Sequence, residues 1–359
     1  MKKFVRIIAV CLNLLIVIAF LLTTIAGWVA PSRSVWPSLM AFGYLPLLAA
    51  NVLFSLIWMF CRRWEFLISA VAIALRWAMI PVYIQVGGKS QMPPPADDVV
   101  TILTFNTHQF RGVDDQASPS ADKAREFLSM VEQNGPDIIC LQEYGAVKGV
   151  AVTDSLRYMG YTEHYSARTS RAGEPYGTVL FSRLPIDYVR QIDRQSKFYA
   201  DIDNHGHTVR VVCIHMESYG LDNSDREEID RMAHGDLDST ATQTIAKLTH
   251  TITKHEKEWQ DELRPIVEAA SVPLIMVGDM NDIPSSYLYH QVSDQLRDSF
   301  TQCGSWFGTT YGGKDLPAFR IDYVFHSSQL RCIAHRRLRS SVSDHHAVIA
   351  ALQIIPNDQ

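Results

Sequence analysis

With 359 residues, 47% hydrophobic and 20% charged, and a net charge of −5, the chain is long enough for two or three ordinary domains. Its charge is uneven: residues 1–96 hold 8 Lys and Arg against Glu65 alone, leaving 25 basic and 37 acidic residues, about −12, in the remainder. That balance excludes a uniformly basic nucleic-acid-binding domain, although a local basic groove stays open, and the apolar first quarter excludes an all-globular chain.

Ile7–Ala30 is an almost unbroken apolar run, long enough to cross a bilayer as a helix. It exceeds a signal-peptide core and lacks a small-x-small cleavage site, so it reads as a retained anchor. Trp36–Phe60 is a second run, containing Pro37 and Pro46, and Phe66–Ile84 a third, with Arg76 in its middle. A charge at that depth costs roughly 2.5–3.5 kcal/mol on insertion scales. The pattern predicts three spans within a membrane segment 1–86. Lys2, Lys3 and Arg6, with Arg62 and Arg63, place the N-terminus and the second loop in the cytoplasm. Three spans then leave the domain beginning near Asp97 outside, and two leave it inside.

Residues 87–98, with Met92-Pro93-Pro94-Pro95, read as a stiff linker to a domain spanning 99–354. Val99–Phe105, Asp137–Leu141, Thr178–Ser182, Thr208–His215, Pro273–Val277, Ile321–Phe325 and Ala347–Leu352 are short, Val- and Ile-rich and bounded by turn formers, which predicts strands. Ala121–Asn134 puts Phe127, Leu128 and Val131 on one helical face and stops at Gly135-Pro136. Ser239–Val267 gives one or two further helices. Strands with interspersed helices predict an α/β fold with helices over sheets. The polar connection 218–238 reads either as a solvated excursion or as a lid.

Six cysteines include no C-x-x-C pair. Cys140 and Cys213 sit in apolar strands and read as buried thiols, whereas Cys303 and Cys332 are candidates for a disulfide.

Short polar motifs end the apolar runs: Thr104-Phe105-Asn106, Leu141-Gln142-Glu143, Ile214-His215, Gly278-Asp279-Met280-Asn281, Arg320-Ile321-Asp322-Tyr323 and Ser343-Asp344-His345-His346. Singly each is an ordinary turn or strand end. Together they supply carboxylates, amides and histidines, the materials of metal-assisted phosphoester hydrolysis, because hard cations prefer oxygen ligands and an Asp–His pair fixes an imidazole's tautomer.

The order of these motifs, with Tyr176–Ile186 as a central Gly-containing strand ending in Ser-Arg-x-Pro, resembles the endonuclease/exonuclease/phosphatase superfamily, the DNase I-like fold. The resemblance runs from about Val99 to Leu352. It implies a four-layer αββα sandwich and one or two Mg²⁺ or Mn²⁺ ions. It implies Glu143 as the principal metal ligand, with Asn106 and Asp344 in the metal environment. Asp279 would orient the attacking water or hold a second metal, and Asn281 would bind a phosphate oxygen. His345, oriented by Asp322, would act as base or charge stabiliser, and His215 would protonate the leaving oxygen. Thr178 and Met280 depart from the commoner Asn and Phe of relatives without changing a ligand. The expectation is a metal-dependent phosphoesterase in the inner membrane, its domain facing outward. Substrates in view are nucleic acid, a lipid head group as in sphingomyelinases, or a small phosphate. The rival from another class is a non-catalytic membrane scaffold or sensor keeping the fold.

Overall fold

The computed structural model of the chain describes residues 2–114, 117–169, 175–193, 196–220, 239–312 and 319–356. Of the 218–238 connection only the first residues are among them, so the lid reading lies outside the described residues. Two compact units interleave along the chain. One comprises Met1–Tyr83, Tyr219–Trp259 and Asp282–Val292; the other comprises Ile84–Ser218, Gln260–Asn281 and Ser293–Gln359.

The first unit corrects the expectation of three membrane spans. Among the described residues one continuous helical stretch, Lys3–Gly27, is long and apolar enough to cross a membrane, and Phe66–Leu75 with Trp77–Tyr83 makes a pair bent by 60°. The second run is divided at Phe42-Gly43 into helices Trp36–Ala41 and Tyr44–Phe60, and the longer piece has 17 residues, short of the roughly 20 a bilayer demands. In the third run the helix stops at Arg76, whose backbone leaves helical geometry (φ −108, ψ 12). Its guanidinium lies over the Tyr44 ring at 5.6 Å, a polar anchor that an uninterrupted apolar span would lack. Further polar contacts tie these helices: Asn13 Nδ2 donates to Ser69 Oγ (2.6 Å), Trp58 Nε1 donates to Asn13 Oδ1 (3.1 Å), and Arg6 pairs with Glu65.

The N-terminal helices share their compact unit with Tyr219–Trp259 and Asp282–Val292. Ser285 Oγ donates to the Ala41 carbonyl (2.9 Å) and is 2.7 Å from Tyr83 Oη. Ser32 bonds Glu256 through both its backbone N–H and its hydroxyl. Asp282 faces His255 Nδ1 (3.4 Å) and Tyr219 Oη (3.5 Å).

The second unit holds the strands. A two-residue strand β1 (Ile84–Gln85) is followed by β2 (Val99–Asn106), β3 (Ile138–Tyr144), β4 (Glu163–Thr169), β5 (Pro175–Ser182), β6 (Ile186–Gln191), β7 (Phe198–Asn204) and β8 (His207–His215). Then come β9 (Leu274–Asp279), β10 (Arg297–Asp298), β11 (Trp306–Phe307), β12 (Asp322–His326), β13 (Leu330–Leu338) and β14 (Ala347–Ile354). They form two six-stranded sheets, ordered β10-β12-β9-β8-β7-β6 and β13-β14-β2-β3-β5-β4, plus a β1–β11 ribbon. All seven strands expected from the sequence are present.

Alternate residues of both sheets, among them Val100, Ile102, Cys140, Val211, Cys213, Val277 and Val324, meet in one buried core. The opposite face of the β2–β3 sheet, through Leu103, Phe105, Ile139 and Leu141, packs on Phe127, Leu128 and Val131 of helix Ala121–Asn134. Gly135, at φ 51, closes that helix in the left-handed conformation a glycine takes most readily. This is a two-sheet α/β sandwich with a helical face.

The Pro-rich linker is docked: Lys89 N–H donates to the Cys303 carbonyl (2.9 Å), the Lys89 carbonyl accepts from His335 N–H (2.9 Å), and Met92 packs beside Val99, Ala334 and Ala351. Cys140 and Cys213 are buried free thiols. Cys303 and Cys332 are free as well, with Cys303 Sγ donating to the Cys332 carbonyl (3.0 Å), so the disulfide expectation is not met.

Candidate active site

Strand register brings the chemistry together. In the first sheet His215, at the end of β8, pairs with Asp279, at the end of parallel β9; antiparallel β12 places Asp322 on the other side of Asp279. Three adjacent strands thus set His215, Asp279 and Asp322 in one row. Gly278 allows the close approach of β8: at φ 142 any Cβ there would overlap the Ile214 carbonyl. In the second sheet Asn106 pairs with Gln142 in parallel, and the β3–β5 ladder shifts register between Leu141 and Tyr144. Glu143 sits in that irregularity at φ 49, a left-handed backbone that re-aims its carboxylate.

Asn106 connects the two sheets. Its Nδ2 donates to Glu143 Oε1 (3.1 Å) and to Asp279 Oδ2 (3.0 Å), while its Oδ1 accepts from the His108 backbone N–H (3.0 Å). The backbone donor settles which end of the amide faces the carboxylates: the nitrogen does. Asn106 therefore orients Glu143 and Asp279 instead of presenting its oxygen beside them.

His345, in the loop before β14, places Nδ1 at 2.9 Å from Asp322 Oδ2 and Nε2 at 3.8 Å from Asp279 Oδ2. Asp279, Asp322 and His345 bring potential ligand atoms within 4.8 Å of one another, all buried. His215 Nε2 lies 3.8 Å from Glu143 Oε1 and 4.0 Å from Asp279 Oδ2. Two buried atoms of these residues, His215 Nε2 and Asp322 Oδ1, have no hydrogen-bond partner among the described residues. Asn281, at φ 50, donates its backbone N–H to Asp279 Oδ1 (2.8 Å) and its Nδ2 to the Met216 carbonyl (3.0 Å). Asp344 stands apart from the cluster of three; its Oδ1 is 3.4 Å from His108 Nδ1 and 3.1 Å from Ser343 Oγ.

The charges are strongly coupled. Burial and the neighbouring Asp322 carboxylate push Asp279 up to about 6, against the pull of His345 and His215. Burial lowers the proton affinity of His345, but Asp322 and Asp279 outweigh it and raise the imidazole to about 10. Burial opposes ionisation of Glu143, yet His215, the Asn106 amide and His345 hold it below the usual carboxylate range. An arrangement of three carboxylates so placed calls for cationic charge, and a hard divalent ion fits the oxygen-rich donor set.

Two residues had no sequence signal. Thr310 Oγ1 accepts the backbone N–H groups of Ile321 and Asp322 (both 3.1 Å), and the Tyr311 ring lies 4.9 Å from that of His345. Arg320 of the Arg-Ile-Asp-Tyr motif is buried, paired with Asp298 at 2.5 Å and stacked on Phe300 and Tyr323.

No curated protein matches the chain. Among solved structures, human nocturnin's catalytic domain with bound sulfate anion is 16% identical over 72% of this chain and 94% of its own, with a TM-score of 0.50, which shows the fold. An endonuclease/exonuclease/phosphatase from Beutenbergia cavernae DSM 12333 is 19% identical, covering 72% of each chain, with a TM-score of 0.48. D. rerio TDP2 complexed with single strand DNA product is 17% identical over 71% of this chain and 99% of its own, with a TM-score of 0.46. A domain of unknown function, DUF8431, matches residues 2–83. The sequence model of the Endonuclease/Exonuclease/phosphatase family matches residues 103–345, most of the chain and every residue of the site just described, so the chain belongs to that family.

Proposed function

We propose that the protein is a divalent-metal-dependent phosphoesterase, tethered to a membrane, that cleaves a P–O bond by in-line attack of water. The observation that carries this reading is the convergence of Asp279, Asp322 and His345 within 4.8 Å, joined to Glu143 through the Asn106 amide. Glu143 and Asp279 would hold Mg²⁺ or Mn²⁺, with Asp344 in the outer environment, and Asn106 would keep the two carboxylates in register. Bound there, the ion would polarise the phosphoryl oxygens and neutralise developing negative charge.

The chain's own groups would do the rest. His345, held by Asp322 and doubly protonated near neutral pH, would donate Nε2–H to the charge that builds on the phosphoryl oxygens. Where it does not itself hold the ion, Asp279 would orient the attacking water and accept its proton. His215, whose Nε2 is otherwise unsatisfied, would protonate the leaving oxygen. Asn281 would steady a phosphate oxygen from the turn after β9. On the fold, the αββα layering of the family is supported by buried Val212, Ile214, Met276 and Phe325, which alternate with the inter-sheet core and require a cover on their own side.

Lys3–Gly27 would be the anchor. With Lys2, Lys3 and Arg6 in the cytoplasm, a single span leaves the catalytic domain outside the inner membrane. An alkaline phosphatase fusion at the C-terminus should therefore be active, and an inactive one would reverse the orientation.

The test of activity is Mg²⁺-dependent hydrolysis by the full chain in detergent, since the N-terminal helices share a compact unit with Tyr219–Trp259 and Asp282–Val292. Bis(p-nitrophenyl) phosphate, supercoiled plasmid and sphingomyelin would be compared, with His345→Ala as control. Hydrolysis lost in the variant supports the reading. Mg²⁺-dependent thermal stabilisation without turnover of any ester would instead favour the non-catalytic scaffold.

A further inference from the structure

Among the described residues of the strand-bearing unit, the β1–β11 ribbon exposes a tryptophan and a phenylalanine side by side. Ile84 pairs with Phe307 and Gln85 with Trp306. Trp306 is 76% exposed, Phe307 59% and the adjoining Val86 90%. Trp306 also has φ 56, a left-handed backbone that costs a bulky residue of this kind. Its backbone is held by the ladder with Gln85, while its largely exposed side chain leaves apolar surface for something it meets.

The ribbon is firmly placed. Gln85 Nε2 donates to the Thr301 carbonyl (3.0 Å), and Lys89 N–H donates to the Cys303 carbonyl (2.9 Å). Gly88 lies so close to the Gly304 backbone that a Cβ would overlap it. From Phe307 the chain passes through Gly308 and Thr309 to Thr310 and Tyr311, which hold Asp322 and lie against His345. The aromatic tip and one wall of the candidate active site are therefore one short stretch of chain.

We propose that this ribbon is a lipid-docking element: Trp306, Phe307 and Val86 insert into the interfacial layer of a bilayer and present the site to phosphoesters carried by membrane lipids. Chain continuity favours that occupant. Ile84 directly follows Tyr83, where the apolar bent pair beginning at Phe66 ends, so the ribbon is the first element to leave an apolar segment. Tryptophan is the residue most at home at that depth. Exposed Lys89 and Arg339, with half-buried Arg337 bonded to Thr309, supply positive charge suited to lipid phosphates in a region that is acidic overall. The lipid-ester part of the inference rests on the phosphoesterase reading; the docking part does not.

The experiment uses the full chain labelled with 5-fluorotryptophan in nanodiscs of phosphatidylcholine and phosphatidylglycerol, with the Trp306 resonance identified by its loss in Trp306→Phe. Doxyl-labelled lipid should broaden that resonance severalfold, and a water-soluble gadolinium chelate should leave it sharp. The opposite pattern overturns docking, and so does shielding from both reagents, which would place another protein surface or a second copy over the ribbon. Trp306→Ser combined with Phe307→Ser should raise at least tenfold the lipid concentration giving half-maximal hydrolysis of a bilayer phosphoester. An unchanged lipid dependence counts against the inference. Broadening by doxyl lipid in a protein that hydrolyses no ester would uphold docking and sink the phosphoesterase reading, so the two failures separate.

Discussion

Asp322 Oδ2 lies 2.9 Å from His345 Nδ1, and both side chains are almost entirely buried. The contact fixes which imidazole nitrogen faces Asp279 and is one cause of the raised proton affinity of His345. Asp322→Asn keeps the shape and removes the charge. It should lower kcat on bis(p-nitrophenyl) phosphate by about 10²–10⁴-fold, the usual span for a disabled acid–base group. His345 should also titrate below its present value, measurable by NMR of its ring protons. A variant with full activity and an unmoved His345 would remove this pair from the mechanism.

Glu143 depends on a different effect. Its carboxylate is held ionised at a left-handed backbone position, with Asn106 donating to it. A ligand that binds only the folded state stabilises it by about 2.7 kcal/mol at a hundredfold excess over Kd. Mg²⁺ at that excess should therefore raise the melting temperature of the wild-type chain, and Glu143→Gln should lose most of the rise at the same concentration. An equal rise in both proteins would place the ion elsewhere.

Much of the fold was legible because apolar strands bounded by turn formers announce themselves, and the site because its residues terminate those strands. What escaped had polar sequences explained only by partners distant in the chain. Phe198–Asn204 contains Asp201 and Asp203, which read as turn formers; across the ladder Asp201 meets Arg210 at 2.7 Å, so its charge is accommodated within the sheet. Ile186–Gln191 is an edge strand with mostly exposed residues, and Leu330–Leu338 carries Arg331, Arg336 and Arg337. Within the site, the orientation of the Asn106 amide depends on the His108 backbone, and Asp344 faces the His108 ring and the Ser343 hydroxyl. Neither can be inferred from strand-end position. Hydropathy also overstated the membrane segment, because it averages over Arg76 and Gly43, where the helices stop.

Gly278 offers a direct test of how register positions the site. It pairs with Ile214 on β8, and a methyl group at its Cα would collide with the Ile214 carbonyl while φ 142 is itself a glycine conformation. Gly278→Ala should cost about 1–3 kcal/mol, the range of overpacked and strained sites. Because Asp279 follows immediately, any folded fraction should also show weakened hydrolysis. Urea denaturation of the full chain in detergent gives the first quantity and turnover per folded molecule the second. A loss under 1 kcal/mol, on the order of an ordinary surface change, would mean that β8 and β9 can separate without penalty.

His335 predicts acid lability from a group outside the Asp279–Asp322–His345 cluster. It is buried, with Nδ1 2.9 Å from Ser299 Oγ, and burial, reinforced by Arg320, depresses it to about 3 from an ordinary 6.5. Above pH 6.5 the ring is neutral both folded and unfolded, so it contributes no pH dependence. Between pH 6.5 and 3 the unfolded chain takes up a proton that the folded one refuses, and stability falls as pH falls. At pH 5 the loss from this group alone approaches about 2 kcal/mol. His335→Gln retains an acceptor for Ser299 without the titration. It should be less stable than wild type at pH 7.5 through imperfect packing, yet lose correspondingly less between pH 7.5 and 5. Denaturant midpoints at the two pH values measure the difference, and parallel losses in both proteins would show that His335 is protonated in the folded state.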